Sequence, residues 1–498
     1  MRMTELSEKA KRSRQYDRAI GAVLASAAGD AIGSQYEFGP ARTDDQPVEF
    51  GVGYFGHARG EWTDDTSMAM PILQALARGE SLSDTETLGR IVAEWREWSR
   101  TAPDVGVQTS SVLGSLGGDD KPGDCTEAHA RSVSRTQHER AGRSAGNGSL
   151  MRTGPVALGY LDDGQEEALA DASGRLAQLT HWEDDNVDAC VLWCLAIRHA
   201  IRTGELDIRA QLAWVPAERR DRWATFIDEA LAPGAHPRDF RKQNGWVVRA
   251  FQGALAAIVG ARSTDGRPEV VDALERAIRG GGDTDTVAAI AGSLAGSVWG
   301  ATQVPLAWRR ILHGWPGLST NDLTNLAFLA ARGGKPTGNG WPTARLVPAD
   351  GFLHTAPRQH PHDDGVWLGS LSALAELPSE IGAVVSLSRV GTEQVPAGVE
   401  SIRIWLIDEP GHNANLEWVL ADTANTIDAL RREGMQVFVH CAEARSRTAA
   451  VAALYGMRHR GIGHDQAWAD VAAALPHFAP AQFHRDAVAR IATNSPLE

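Results

Sequence analysis

At 498 residues the chain exceeds the length at which a single hydrophobic core usually suffices, so a multidomain protein is expected. Hydrophobic residues make up 43% and charged residues 22%, ordinary globular values that exclude a disordered chain. A formal net charge of −14 argues against broad nucleic-acid or membrane binding, and four cysteines in so long a chain exclude a disulfide framework.

The first element, Lys11-Arg12-Ser13-Arg14 followed by the small-residue stretch 19–28, imitates a short signal peptide. Its apolar part is poor in large aliphatics, so it reads instead as a helix of the first domain. No apolar run of membrane-spanning length occurs elsewhere, and a cytoplasmic protein is expected. Next comes Trp62-Thr63-Asp64-Asp65-Thr66, and over two hundred residues later Gly282-Asp283-Thr284-Asp285-Thr286. Each precedes an apolar helical run, so each reads either as a helix start, where Thr and Asp cap well, or as a set of hard oxygen ligands suited to Mg²⁺ or Mn²⁺. Asp283 and Asp285 are two apart and would not share a helix face, and the glycines 280–282 suit a turn that presents them. Carboxylates gathered this closely repel unless a cation or a proton compensates them. The joint occurrence favours metal.

Between these stretches Gly146-Asn147-Gly148-Ser149 is a turn-former whose backbone amides can approach an anion. His181 precedes Glu183-Asp184-Asp185, which either orient its ring or form a solvated face. The runs 187–201 and 287–299 read as buried helices, Cys190 and Cys194 as core, and the segment 207–239 as an elaborating loop or helix pair. The Gly/Pro-rich stretch 331–342 is a linker. Beyond it, the β-branched runs 383–387 and 436–439 alternate with helices such as 415–433, which suggests a parallel sheet covered by helices. Within Val437-Phe438-Val439-His440-Cys441-Ala442-Glu443-Ala444-Arg445-Ser446-Arg447-Thr448, a strand, loop and helix set a cysteine and an arginine five residues apart. A thiolate there gains from backbone amides and the helix dipole, and Arg447 suits a phosphoryl group.

The segment 21–33, with Glu37, Thr63-Asp64-Asp65, Gly146 to Arg152, Thr180-His181 and Gly282 to Thr286, resembles the ADP-ribosylglycohydrolase family in the family's order across residues 18–332. The resemblance implies an all-α domain with a binuclear Mg²⁺ or Mn²⁺ centre held by Thr63, Asp64, Asp65, Asp283, Asp285 and Thr286. It implies catalytic carboxylates at Glu37 or Asp104, and substrate contacts from Gly146, Asn147, Gly148, Ser149, Met151, Arg152 and His181. Taken alone, Asp104 after Pro103 also reads as a cap on the next helix. Residues 364–498, with Val366-Trp367-Leu368-Gly369-Ser370, Asp408 and the Cys441 loop, resemble cysteine-dependent dual-specificity and tyrosine phosphatases. That resemblance implies an α/β domain with Cys441 as nucleophile, Arg447 on phosphate, Thr448 assisting the thiolate and Asp408 as general acid. Ala444 stands where that pattern has glycine, and Glu443 adds a negative charge beside the anion site; a left-handed backbone at 444 would penalise any side chain.

The expected layout is a hydrolase domain at 1–332, a linker at 333–350 and a phosphatase-like domain at 351–498. The expected function is metal-dependent release of ADP-ribose from a protein, nucleic acid or small molecule, joined to hydrolysis of a phosphorylated substrate. Two other readings stay open: a phosphate- or phosphoprotein-binding C-terminal module without catalysis, and hydrolysis of small ADP-ribosyl metabolites.

Overall fold

A computed structural model describes residues 6–117, 126–263 and 267–494. The chain folds into two compact units. The larger comprises Gln15–Val304 and Ile311–Lys335; the smaller runs from Pro336 onward and includes Pro305–Arg310 and the chain up to Arg14.

The larger unit is helical, its described strands being only a two-residue antiparallel ribbon, His313–Gly314 with Leu318–Ser319. The stretch with signal-peptide character lies inside the helix Glu8–Gly33, where Ala19, Leu24, Ala25 and Ala28 are buried. That helix meets the helix Thr284–Trp299 backbone to backbone. A Cβ on Gly29 would fall 2.3 Å from the Ala288 carbonyl oxygen, and one on Gly292 2.2 Å from that of Ala25. Small residues are therefore obligatory along the seam, and the seam sets the C-terminal end of the first helix against the N-terminal end of the second. Thr284 Oγ1 donates to the Gly33 carbonyl at 2.9 Å. The expected buried helices appear as Asp184–Thr203 and Thr284–Trp299. The less regular segment becomes a 3₁₀ turn (Ala210–Trp214), a helix (Ala217–Leu231) and a second 3₁₀ turn (Pro237–Phe240).

The smaller unit carries a five-stranded sheet in the order Arg358–His360, Asp363–Ser370, Gln436–Cys441, Ile381–Ser386, Glu400–Arg403. Four strands are parallel, and the edge strand Arg358–His360 runs antiparallel, so the sheet is mixed rather than wholly parallel. Helices Leu416–Arg432, Arg447–Arg460, His464–Ala474 and Gln482–Asn494 supply its cover. Val437, Phe438 and Val439 on the central strand are all fully buried, the signature of a parallel strand covered on both faces. Cys441 closes that strand, at the carboxyl edge where open parallel sheets place their ligand sites. The expected linker is not free chain throughout: Trp341 is buried, and Ala344 and Arg345 accept backbone hydrogen bonds from Thr392 and Glu393. No helix among the described residues is long and apolar enough to cross a membrane.

Candidate active sites

In the larger unit the helix seam gathers the acidic stretches. Thr63 and Asp283 are the N-caps of the helices Asp64–Ala77 and Thr284–Trp299, yet neither caps with its side chain. Carboxylates from elsewhere satisfy the first helix instead. Asp30 accepts from the Thr63 amide at 3.0 Å and the Thr66 amide at 2.9 Å, while Asp104 accepts from the Asp64 amide at 3.0 Å. Asp104 thus caps this helix rather than the one that follows it, Val107–Gly114, whose N-cap is Gly106. The side chains of Asp64 and Asp65 are left free of capping duty, and Asp65 Oδ1 is buried with no hydrogen-bond partner.

Gly281 and Gly282 present Asp283 from a left-handed turn, φ 75° and 80°. A Cβ on Gly281 would lie 2.5 Å from the Ala41 nitrogen, so no other residue fits there. Ligand oxygens of Glu37, Asp283 and Asp285 then lie within 4.8 Å of one another. Two carboxylates at such a separation repel by roughly 3–4 kcal/mol at an effective dielectric of about 20. Burial and neighbouring carboxylates accordingly hold Asp64, Asp65 and Asp285 well above the ordinary carboxylate range. Glu37 is pushed up to about 8, by burial first and by Asp283 second. A partly to fully buried all-oxygen set with an unpartnered acceptor on Asp65 fits a hard divalent cation. Glu37, assigned on resemblance to catalysis, stands beside Asp283 and Asp285 as a third member of that set.

The loop after Gly146 braces this cluster. Asn147 Nδ2 donates to Asp283 Oδ2 at 2.7 Å, and the Asn147 amide is engaged by the Gly245 carbonyl. Ser149 is buried and accepts from Asn186 at 2.7 Å; Met151 is buried too. Cβ atoms on Gly146 or Gly148 would lie 3.3 Å and 3.1 Å from the His181 ring. His181 is itself buried behind the loop, with Nδ1 2.8 Å from Thr180 Oγ1, and burial holds its pKa well below the usual value. The acidic run after it serves neither expected purpose: Glu183 accepts from the Ser144 amide, Asp184 pairs with Arg219 and Asp185 with Arg222. Arg152 is fully buried, stacked 4.0 Å over Trp95 and donating to Thr180 Oγ1 at 2.6 Å. In this geometry Arg152 and His181 support the loop from behind. Three further residues at the site carried no assignment from the sequence. Asp30 stood in the family-like segment, whereas His57, 3.3 Å from Asp104, and Asn244, whose Oδ1 accepts from the Asp283 amide at 3.1 Å, had no local signal.

In the smaller unit Cys441 is buried, and its thiol is nevertheless pulled below the ordinary value. Burial acts upward; Arg447, the Thr448 hydroxyl and amide, and the Glu443 amide act downward and prevail. Ala444 is left-handed at φ 57°, the conformation in which a side chain is penalised. The Glu443 carboxylate turns away from the thiol and accepts from the Leu353 amide at 3.2 Å. The loop therefore directs the Glu443 amide toward Cys441 and its carboxylate elsewhere. Arg447 donates to the Leu387 carbonyl at 2.7 Å, and its Nε is 3.6 Å from Asp408 Oδ2. Thr448 is fully buried beside the thiol that its hydroxyl and amide help to lower. Ser446 and His484, unassigned from the sequence, both reach Asp408.

Residues 11–337 match the ADP-ribosylglycohydrolase family, and residues 367–489 match the dual specificity phosphatase catalytic domain. ADP-ribosylarginine hydrolase Tri1 of Pseudomonas putida is 30% identical over 300 residues, covering 59% of this chain and 73% of that protein. Human ADP-ribosylhydrolase ARH3 is 27% identical over 345 residues, covering 61% of this chain and 91% of that protein. Among solved structures, an ADP-ribosylglycohydrolase-related protein complex aligns over 65% of this chain and 100% of its own, with 26% identity and a TM-score of 0.47. Human DUSP28 aligns over 28% of this chain and 97% of its own, with 27% identity and a TM-score of 0.24.

Proposed function

The chain belongs to the ADP-ribosylglycohydrolase family, and on that premise we propose a two-headed hydrolase: a metal-dependent ADP-ribosylhydrolase at 1–332 joined to a cysteine phosphatase at 351–498. The observation that carries the first activity is the convergence of Glu37, Asp283 and Asp285 on one point, beside Asp64 and Asp65. Thr63, Asp64, Asp65, Asp283, Asp285 and Thr286 would hold two Mg²⁺ or Mn²⁺ ions, which when bound orient ribose hydroxyls and offset developing charge. Around them, Glu37 or Asp104 positions the attacking water and takes its proton as the bond from ribose to the carrier breaks, and that proton passes to the departing nitrogen or oxygen. Asn147 steadies Asp283, and the 146–149 loop is the surface offered to the substrate's diphosphate. The names of the similar proteins, an ADP-ribosylarginine hydrolase and an ADP-ribosylhydrolase, support ADP-ribose as the group released.

For the second activity, Cys441 Sγ attacks phosphorus, forming an S–P bond while the P–O bond to the leaving group breaks and Asp408 gives that oxygen its proton. Water then attacks the phosphocysteine, Asp408 takes the water's proton, and phosphate leaves with the thiolate restored beside Thr448. The lowered thiol of Cys441 beside Arg447 supports this reading over an inert binding module.

The test is the full chain against arginine-, serine-, nucleic-acid- and O-acetyl-linked ADP-ribose with Mg²⁺ or Mn²⁺, and separately against aryl phosphates. Release of ADP-ribose that survives exhaustive EDTA treatment would end the metal assignment. Aryl-phosphate hydrolysis that survives Cys441→Ser would end the phosphocysteine one.

A further inference from the structure

Asp408 is held by two residues that the phosphatase reading does not itself use. Ser446 Oγ lies 2.8 Å from Asp408 Oδ1, 3.1 Å from His484 Nδ1 and 3.1 Å from the Ala481 amide. His484 Nδ1 is also 3.5 Å from Asp408 Oδ1. The histidine is fully buried at the start of the helix Gln482–Asn494, and its Nε2 has no hydrogen-bond partner. The preceding segment is tied to the same loop, the Ala479 amide donating to the Arg445 carbonyl at 3.1 Å.

The hydrogen-bond inventory gives this chain a direction. Burial holds His484 at about 4, so at neutral pH its ring carries a single N–H. Ser446 has one proton and can accept two bonds. With the Ala481 amide as one donor and Nδ1–H of His484 as the other, the serine proton points to Asp408 Oδ1. A carboxylic acid donates from one oxygen only, so an Oδ1 committed as acceptor leaves the transferable proton on Oδ2. That oxygen is the one 3.6 Å from Arg447 Nε, the residue assigned to the phosphoryl group.

We propose that His484 is a positioning residue of the phosphatase site, acting through Ser446 to fix Asp408 with Oδ2 toward the leaving-group oxygen. This rests on the phosphatase reading above. The proton leaves Asp408 Oδ2 for the departing oxygen as the P–O bond breaks and the S–P bond forms; His484 and Ser446 keep their protons throughout.

The leaving group reads this role directly, because an acidic phenol departs without a proton and a poor one does not. In the full chain, kcat/KM is compared for 2,4-dinitrophenyl phosphate and phenyl phosphate across pH. The ratio of the two is expected to rise about tenfold or more in His484→Leu, within the roughly 10²–10⁴-fold that general acid catalysis contributes. Asp408→Asn sets the ceiling. Ser446→Ala, a smaller loss of packing, should move the ratio the same way. His484→Asn, which keeps a donor near the Nδ1 position, should restore it, along with the wild-type basic limb of the pH profile. An equal fall on both substrates, or an unchanged ratio in His484→Leu and Ser446→Ala, overturns the proposal. A wild-type chain inactive on both substrates overturns the phosphatase reading and this inference with it, an outcome distinct from an active enzyme with an unmoved ratio.

Discussion

The two sites solve opposite charge problems. The larger unit gathers Glu37, Asp64, Asp65, Asp283 and Asp285 in a partly to fully buried cluster, and burial first, with repulsion from neighbouring carboxylates second, raises the proton affinity of Glu37, Asp64, Asp65 and Asp285. The site in the smaller unit buries the Cys441 thiol and supplies its compensation from Arg447, Thr448 and the loop amide of Glu443. Burial presses upward on both, and the outcome differs because the charges acting most strongly on Asp64, Asp65 and Asp285 are other carboxylates, whereas Arg447 and hydrogen-bond donors surround the thiol. On the proposed reading, the carboxylate nest takes its compensating charge from bound cations, whereas the cysteine loop carries its own.

This contrast can be broken most severely by removing one member from each side. Asp285→Ala should abolish ADP-ribose release while aryl-phosphate hydrolysis continues, and Cys441→Ser should do the reverse; loss of both activities in either variant would show that the sites are not independent. Next in size, Glu37→Gln and Asp104→Asn should each slow ADP-ribose release, by about 10²–10⁴-fold for whichever manages the water. Rates within a few-fold of wild type for both, singly and combined, would remove them from catalysis.

The self-compensated character of the second site is sharpened by alkylation across pH. With its folded pKa lowered, Cys441 is thiolate at pH values where an ordinary thiol, near about 8.5, stays protonated. Iodoacetamide should therefore label Cys441 below about pH 8 and phosphate or vanadate should protect it, as judged by peptide mass spectrometry. Cys190 and Cys194 should lag, since burial pushes both thiols up, Cys194 to about 12. The smallest expected effect is on the loop's strain. Ala444→Gly removes the left-handed penalty of about 1–2 kcal/mol and loses part of that gain to a freer unfolded chain. Denaturant unfolding should report a net stabilisation of about 0.5–1 kcal/mol; a loss would mean that the buried Ala444 methyl contributes more than the backbone strain costs.

Much of the chemistry was legible because it is local. Cys441, Arg447 and Thr448 belong to one strand–loop–helix segment, so their spacing along the chain already describes their spacing in space, and the doubt over Ala444 was a doubt about one dihedral that the fold places at φ 57°. Asp64 with Asp65, and Asp283 with Asp285, were likewise readable as pairs, and so were the helical and α/β characters of the two units. The joint occurrence favoured ligation over capping, but what caps the helix instead was not readable. The structure adds that Asp30 and Asp104 satisfy amides at the start of the helix Asp64–Ala77 from 33 and 40 positions away, so that its own carboxylates are not needed as caps.

Arg152 and His181 were assigned to substrate by their place in a motif, yet both are buried behind the loop they follow, a matter of which side of a turn faces inward. Nothing in the sequence around His57, Asn244 or His484 marked them, since each matters through a partner far along the chain. The residue types and their local spacings determined the two families that the chain resembles and the side chains that are candidates for chemistry. Only the packed structure decided which of those side chains are spent on holding the fold, because a hydrogen bond or a repulsion depends on distance in space, and helix seams and sheet edges set that distance.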